Sequence, residues 1–206
     1  MDIDGIIFDC DGVLFESRQA NLAYYNEILR QFDVPEVRLG TDEAALCHTA
    51  SSPVVLEELV GKERVADALI VASALDYRQF IPFMEPEPEM ATVVAELSRH
   101  YTLGVATNRG SSMHELLEHF SLDSYFSSVV TSRDVPRPKP YPDMLLLSSQ
   151  QLTIPHERLL FVGDSELDRQ AARGAGIRFV SYKGEAKEDL AVSGHRQLWE
   201  MVSPQG

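Results

Sequence analysis

The sequence is poor in cysteine, in positive charge and in long apolar runs. Its 206 residues include only two cysteines, Cys10 and Cys47, which cannot build a disulfide framework and do not form a C-x-x-C pair. We therefore expect a reducing compartment, the cytoplasm. The longest nearly apolar stretch, Ala68 to Leu75, is far shorter than the roughly 20 residues of a membrane-spanning helix. The acidic start of the chain, Met1-Asp2-Ile3-Asp4, also differs from a basic signal peptide, so we expect no secretion.

Acidic residues outnumber basic ones. The chain has 18 Lys and Arg against 32 Asp and Glu, which gives a net charge of −14 and a pI near 4.8. Such a surface repels nucleic acid and anionic lipid, so we expect neither nucleic acid nor a membrane as a partner. The hydrophobic fraction of 44% and the charged fraction of 24% are typical of a soluble globular protein. The sequence does not specify an oligomeric state.

The first half of the chain predicts one strand followed by a helical insertion. The β-branched and aromatic run Ile3 to Phe8 ends at Asp9 and predicts a buried strand. Residues 17–83 carry helical spacing only, beginning with Leu22, Tyr25 and Phe32 on one face. We therefore predict a core of residues 1–16 and 84–206, interrupted by an all-helical insertion of residues 17–83. Further helices of the insertion are predicted at Asp42–Thr49, Pro53–Val60 and Glu63–Tyr77.

The second half alternates between helices and short apolar strands. This alternation predicts an α/β fold with an open parallel sheet covered by helices on both faces. The predicted strands are Thr102–Ala106, Ser127–Thr131, Leu159–Val162 and Ile177–Tyr182. The predicted helices are Glu89–Arg99, Ser111–Phe120, Tyr141–Gln151 and Glu166–Gly174, with a short closing helix over Lys187–Val202.

Polar side chains follow three of the predicted strands. They lie in Asp9-Cys10-Asp11-Gly12, in Thr107-Asn108 and in Gly163-Asp164-Ser165. Ligands of open parallel sheets bind outside the carboxyl ends of the strands, so we expect one site there. Asp164 and Asp168 are four residues apart at a helix start and therefore share a face. Cys10 is expected to face the core as a small buried hydrophobe.

Four carboxylates at one sheet edge indicate a metal site. Asp9, Asp11, Asp164 and Asp168 cannot all ionise together unless a cation lies among them. Oxygen ligands without His or Cys favour Mg²⁺ over Zn²⁺. Lys139 and the Thr107 hydroxyl are then left to contact an anion. Each of these residues alone is equally typical of a turn or a helix cap, so the prediction depends on their combination.

The combined motifs resemble those of the haloacid dehalogenase superfamily of phosphohydrolases. The match consists of residues 9–14, the strand end Ala106-Thr107-Asn108, Lys139 before Pro140, and residues 163–168, in the family's order and over the whole chain. The insertion after the first motif resembles the family's small mobile cap. Together with the Thr-Asn pair, its position resembles the phosphoglycolate phosphatase-like branch most closely.

The resemblance implies a Mg²⁺-dependent phosphatase of a small phosphorylated metabolite. Asp9 would attack phosphorus and form an aspartyl-phosphate, and Asp11 would act as general acid and base. Thr107, Asn108 and Lys139 would bind the phosphoryl oxygens. Mg²⁺ would be held by Asp9, the Asp11 main-chain carbonyl and Asp164, with Asp168 reaching it directly or through water.

The choice of substrate is assigned to the insertion and to the residues beside it. Candidates for contact with the leaving group are Glu16, Arg18, Asn21, His48 and Arg109. The family's dehalogenases need no acid at the position of Asp11, because a halide leaves unprotonated. Two alternatives remain: a sugar phosphomutase of the same superfamily, which keeps the Asp pair, and a protein that binds a phosphorylated ligand or a partner without turnover.

Overall fold

The computed structural model describes residues 2–110, 112–184 and 190–204. The strands are β1 (Gly5–Phe8), β2 (Phe15–Glu16), β3 (Glu85–Pro86), β4 (Thr102–Thr107), β5 (Phe126–Thr131), β6 (Leu159–Gly163), β7 (Arg178–Tyr182) and β8 (Leu190–Val192). The helices are α1 (Arg18–Arg30), α2 (Asp42–Thr49), α3 (Ser52–Val60), α4 (Val65–Ala74), α5 (Met90–Leu97), α6 (Ser112–His119), α7 (Asp143–Leu152), α8 (Glu166–Ala175) and α9 (His195–Val202). Of the helices within these ranges, none has the length and apolarity needed to cross a bilayer.

The central sheet has six strands in the order β5-β4-β1-β6-β7-β8, and every pairing in it is parallel. β1 lies inside the sheet, where it is covered on both faces, so its residues are all buried. Ile6 and Phe8 contribute to the core on one face, whereas Ile7 packs with Phe161 on the other. The predicted α/β fold with an open parallel sheet is confirmed.

The insertion lies between β2 and β3, which pair with each other antiparallel. In this two-stranded ribbon, the segment that leaves the core pairs with the segment that returns to it. Helices α1 to α4 pack around a hydrophobic cluster that includes Ile28, Leu56 and Ala68. The helix predicted over Glu63–Tyr77 is shorter than expected: α4 ends at Ala74. The Asp76 side chain accepts a hydrogen bond from the Arg78 main-chain N–H and starts a separate 3₁₀ turn.

The prediction of one closing helix over Lys187–Val202 is wrong in part. Leu190–Val192 forms β8, which pairs with β7 at the sheet edge and buries Val192. Helix α9 begins only at His195, after the extended Gly194. Residues 187–189 lie outside the described part of the chain, as does Ser111, the predicted start of α6. The edge of β7 offers main-chain hydrogen-bond partners to residues 190–192. Pairing with this edge outweighs the helical pattern of the residues around them.

Candidate active site

Three carboxylates meet beyond the carboxyl ends of β1 and β6. Asp9 follows β1, Asp164 follows β6, and Asp168 lies in the first turn of α8. One oxygen from each lies within 4.8 Å of the other two. Asp9 and Asp168 are buried. The neighbouring positions of β1 and β6 in the sheet thus bring together side chains that are more than 150 residues apart.

Gly12 allows the loop after β1 to approach Asp164. Its φ of +79° lies in the left-handed region, which favours glycine. A Cβ atom added at Gly12 would lie only 2.0 Å from Asp164 Oδ2. The loop and the carboxylate can therefore come this close only because position 12 has no side chain.

Lys139 joins two of the three carboxylates. Its Nζ lies 2.8 Å from Asp9 Oδ1 and 2.6 Å from Asp168 Oδ1, and the side chain is buried. Burial alone would lower the pKa of Lys139, but Asp168 and Asp9 outweigh it and raise the pKa above its usual range. Asp168 Oδ2 accepts a hydrogen bond from the Ser165 main-chain N–H at 3.0 Å. Lys139 is therefore a fixed positive charge between Asp9 and Asp168.

Lys139 does not fully neutralise the negative charge of the three carboxylates. Burial raises the pKa of Asp9 well above its ordinary value; Lys139 opposes this effect, and the neighbouring carboxylates add to it. Burial also raises the pKa of Asp164 to about 7, with a further contribution from Asp168. A divalent cation would favour the ionised forms. The all-oxygen donor set fits Mg²⁺.

The Asp11 side chain belongs to a different network from these three carboxylates. It accepts hydrogen bonds from Ser17 Oγ, from Arg109 Nη2 and, at 3.3 Å, from Arg109 Nε. Asn21 Nδ2 lies 3.4 Å away. Burial would raise the pKa of Asp11, but the Arg109 guanidinium outweighs burial and holds the pKa below its usual value. Asp11 is therefore a carboxylate in this arrangement.

Arg109 also reaches the insertion. Its Nη2 donates to Asn21 Oδ1 at 3.0 Å, and its guanidinium carbon lies 4.8 Å from the centre of the Tyr77 ring. The side chain is only 4% exposed. The side chain that neutralises Asp11 thus also contacts two parts of the insertion, α1 and the 3₁₀ turn after α4.

Thr107 ends β4, and Asn108 follows it beside Lys139. Asn108 Oδ1 accepts from the Lys139 main-chain N–H at 3.0 Å, and its Nδ2 donates to the Lys139 carbonyl at 3.1 Å. Thr107 Oγ1 accepts from the Arg109 main-chain N–H at 3.1 Å. Both side chains are buried. The three residues predicted to bind phosphoryl oxygens are therefore neighbours in the structure.

The five predicted specificity residues lie in two places. Asn21, His48 and Arg109 line a cavity of about 990 Å³ between the insertion and the core, together with Asp11, Asn108 and Lys139. Glu16 and Arg18 pair with each other at 3.4 Å and are not among the described residues that line this cavity. His48 Nδ1 lies 3.4 Å from Ser17 Oγ, and burial lowers the pKa of His48.

Two residues of this site carried no clear signal in the sequence. Ser17 stands directly before α1, where a serine is typical of a helix cap. Within the described residues, however, its side chain makes no capping hydrogen bond, and it donates to Asp11 instead. The sequence pattern predicts Tyr77 at the end of a helix, and only the fold places its ring against Arg109. Cys10 is buried in the core, as expected.

Comparisons with known proteins show the family of the chain. The family described as haloacid dehalogenase-like hydrolase matches residues 6–182. A phosphoglycolate phosphatase of Shigella boydii serotype 4 (strain Sb227) is 32% identical, over 87% of this chain and 81% of that protein. One from Salmonella choleraesuis (strain SC-B67) is 30% identical, over 93% of this chain and 86% of that protein.

Solved structures share the fold. A haloacid dehalogenase-superfamily hydrolase of subfamily IA, variant 1, from Geobacter sulfurreducens PCA has a TM-score of 0.85 and 36% identity, covering 97% of this chain and all of that one. A β-phosphoglucomutase of Clostridium difficile has a TM-score of 0.81 over 97% of this chain and 95% of its own. At 17% identity, the second similarity shows the fold alone.

Proposed function

The chain belongs to the haloacid dehalogenase-like hydrolases, in the phosphoglycolate phosphatase-like branch, and is a phosphohydrolase; from this premise we propose a Mg²⁺-dependent phosphatase that hydrolyses a small phosphomonoester through an aspartyl-phosphate. The observation that carries the proposal is the group of Asp9, Asp164 and Asp168, in which Lys139 pairs with the buried Asp9 and Asp168. It places a nucleophile, candidate metal ligands and a cation at one sheet edge.

Asp9 would carry out the first displacement. Its carboxylate oxygen attacks phosphorus as the bond to the ester oxygen breaks, which gives an aspartyl-phosphate and splits hydrolysis into two easier steps. Asp11 gives a proton to the departing oxygen. Because Arg109 favours the ionised form of Asp11, substrate binding has to offset that effect before the proton is available.

Asp11 is already in the form that the second displacement needs. As a carboxylate it takes a proton from water, and the water oxygen attacks phosphorus and releases phosphate and free Asp9. Thr107, Asn108 and Lys139 would bind the phosphoryl oxygens on which negative charge spreads in the transition state. Lys139 lies 2.8 Å from Asp9 Oδ1, which supports its role beside the nucleophile.

Mg²⁺ would be held by Asp9, Asp164 and the Asp11 main-chain carbonyl, with Asp168 contributing directly or through water. When bound, Mg²⁺ supplies the positive charge that lets an anionic nucleophile approach an anionic phosphoryl group. The raised pKa of Asp164, about 7, and that of Asp9 support a cation at this position.

The wider assignment follows from the same premise. Residues 17–83 would act as a cap that covers the site of a core formed by residues 1–16 and 84–206, and it would exclude water during the reaction. The net charge of −14 supports a small-molecule substrate and argues against nucleic acid or a membrane as a partner. Two buried, unpaired cysteines support a cytoplasmic location.

Asp9→Asn tests the proposal. Hydrolysis of p-nitrophenyl phosphate with Mg²⁺ should fall by about 10³-fold or more, because the amide cannot attack phosphorus. The thermal midpoint should not fall, because the substitution removes one of several crowded buried charges. Asp67→Asn, at an exposed position of α4, is the matched control and should keep full turnover. Wild-type turnover in Asp9→Asn would overturn the nucleophile assignment. If label in the phosphoryl group stays in a bisphosphate and is not released as phosphate, the result would favour a mutase.

A further inference from the structure

We propose that the substrate is a phosphomonoester whose leaving group is extended and largely apolar, and that the insertion surrounds this leaving group. The proposal rests on the phosphatase activity proposed above and specifies its substrate class. It follows from the size of the cavity, from the side chains that the insertion contributes to it, and from the position of its cations.

The cavity is large although the insertion already contacts the core. Asn108 Nδ2 donates to the Thr49 carbonyl of the insertion at 3.3 Å, and Arg109 of the core lies against Tyr77. The volume of about 990 Å³ therefore belongs to a state in which the two parts are in contact. Pockets that enclose drug-sized ligands measure roughly 300–1,000 Å³. A two-carbon phosphate ester would leave most of this cavity filled with water.

The insertion provides the cavity with an apolar wall. Helices α1, α2, α3 and α4 and the segment after α4 all contribute to it. The apolar or aromatic side chains of this wall include Tyr24, Leu46, Val54, Leu69, Ala72 and Leu75. Water against such a surface is displaced favourably by apolar groups of a ligand, in proportion to the area covered.

Three hydroxyl groups of this wall donate hydrogen bonds within the insertion. Tyr24 donates to the Ala72 carbonyl at 3.3 Å, Thr49 to the Ala45 carbonyl at 3.1 Å and Ser73 to the Ile70 carbonyl at 2.8 Å. Tyr24, Thr49 and Ser73 therefore have no proton left to donate to a leaving group, although their oxygens can still accept a hydrogen bond. Among the described residues of this wall, His48 Nε2 is buried and has no partner, so the contacts that the insertion offers to a ligand are mainly apolar.

The cations of the cavity all belong to the core. Among the described lining residues they are Arg109, Arg133 and Lys139. Arg109 is bound to Asp11, and Lys139 to Asp9 and Asp168. A carboxylate or second phosphate on the leaving group would find no cation on the insertion wall, and burial of an unpaired charge is unfavourable. Arg133, which is exposed, is the one lining cation for which the described residues show no ion pair.

A series of n-alkyl phosphates from ethyl to octyl tests the inference. We expect kcat/KM to rise about three- to fourfold with each methylene group buried, until the apolar wall is covered. An alkyl phosphate of equal length that ends in a carboxylate should be a poorer substrate. A rate that is flat or falls with chain length would overturn the inference. Absence of Mg²⁺-dependent hydrolysis of every ester would instead overturn the proposed function.

Substitutions in the apolar wall test whether the dependence of kcat/KM on chain length arises there. Ala72→Phe fills part of the cavity and should lower the octyl-to-ethyl ratio of kcat/KM at least about tenfold. Ala74→Phe, at an exposed position of the same helix outside the cavity lining, should leave the ratio unchanged.

A second pair of variants avoids any effect on folding. Val54 is 52% exposed and lines the cavity, whereas Ile70 is 67% exposed and is not among its described lining residues. Val54→Lys should lower the octyl-to-ethyl ratio, and Ile70→Lys should not. A preference for the carboxylated ester that is lost in Arg133→Ala would overturn the inference in favour of an anionic leaving group.

Discussion

Three side chains converge on the Asp11 carboxylate from different parts of the chain: Ser17, Asn21 and Arg109. Asp11 itself was predictable because it follows a strand within a recognisable motif. Its partner Arg109 lies 98 residues away in sequence, and no local pattern specifies that pairing. The rule that ligands bind at strand ends predicts which backbone positions meet, but the hydrogen bonds between side chains depend on how the insertion packs on the core.

Gly12→Ala should weaken the affinity for Mg²⁺, because the added Cβ would lie 2.0 Å from Asp164 Oδ2. We expect the Mg²⁺ concentration for half-maximal hydrolysis to rise about 10- to 100-fold. Gly61→Ala is the matched control, because Gly61 has a similar φ of +83° but nothing within 4 Å of the added atom. Equal effects of the two substitutions on the Mg²⁺ titration would show that backbone strain alone is responsible.

His195 should make the stability of the fold depend on pH. Its Nε2 lies 2.8 Å from the Val13 carbonyl, which can only accept, so Nε2 carries the proton of the neutral ring. Nδ1 is buried and has no partner among the described residues. Burial lowers the pKa of His195; Glu87 and Glu89 oppose this effect, and Lys183 adds to it. Protonation therefore favours the unfolded chain, in which the pKa is about 6.5.

The sign of the effect follows from this difference. Above about pH 6.5 the ring is neutral in both states, and as the pH falls below that value the free energy of unfolding should decrease. His195→Gln should reduce this slope by up to about 1.4 kcal/mol per pH unit. Urea unfolding at about pH 7.5 and about pH 5 measures it. An identical pH dependence in the variant would contradict the assignment.

Helix α8 begins with a reciprocal cap that also orients Asp168. The Ser165 side chain accepts from the Asp168 main-chain N–H, and the Asp168 side chain accepts from the Ser165 N–H. Ser165→Ala should therefore cost about 1 kcal/mol of unfolding free energy. Ser51→Ala should cost less, because within the described residues Ser51 precedes α3 without a side-chain capping bond. Equal losses in urea unfolding would argue against the cap as the cause.

The elements that sequence patterns predicted best are the buried strands. β1 and β6 consist only of buried residues and coincide with continuous apolar runs, because a strand covered on both faces has to be apolar. β4, β5 and β7 also include polar residues, and Ser127 of β5 and Arg178 of β7 are exposed, but their apolar segments lie at the predicted positions. β8 was missed since it has only three residues, of which Leu190 is 37% exposed. Its strand conformation comes from pairing with β7, and thus from the rest of the sheet and not from its own sequence.

The whole molecule combines a net charge of −14 with a group of three carboxylates, two of which are buried, so Mg²⁺ should stabilise the fold. At a concentration about 100 times its Kd, a ligand adds about 2.7 kcal/mol, which corresponds to a rise in Tm of roughly 5–10 °C for a chain of this length. NaCl at equal ionic strength controls for general screening. Asp164→Asn should lose most of the Mg²⁺-specific rise, and an undiminished rise in that variant would contradict the proposed site.

The position of β1 between β4 and β6 has a consequence for synthesis of the chain. Gly5 pairs with Thr102 on one side and with Leu159 on the other, so β1 has to wait until β6 has left the ribosome before both its edges are covered. The helices of the insertion, which share their own hydrophobic cluster, can pack well before that. A nascent chain interrupted before residue 159 would expose an apolar strand edge and would depend on chaperones to escape aggregation.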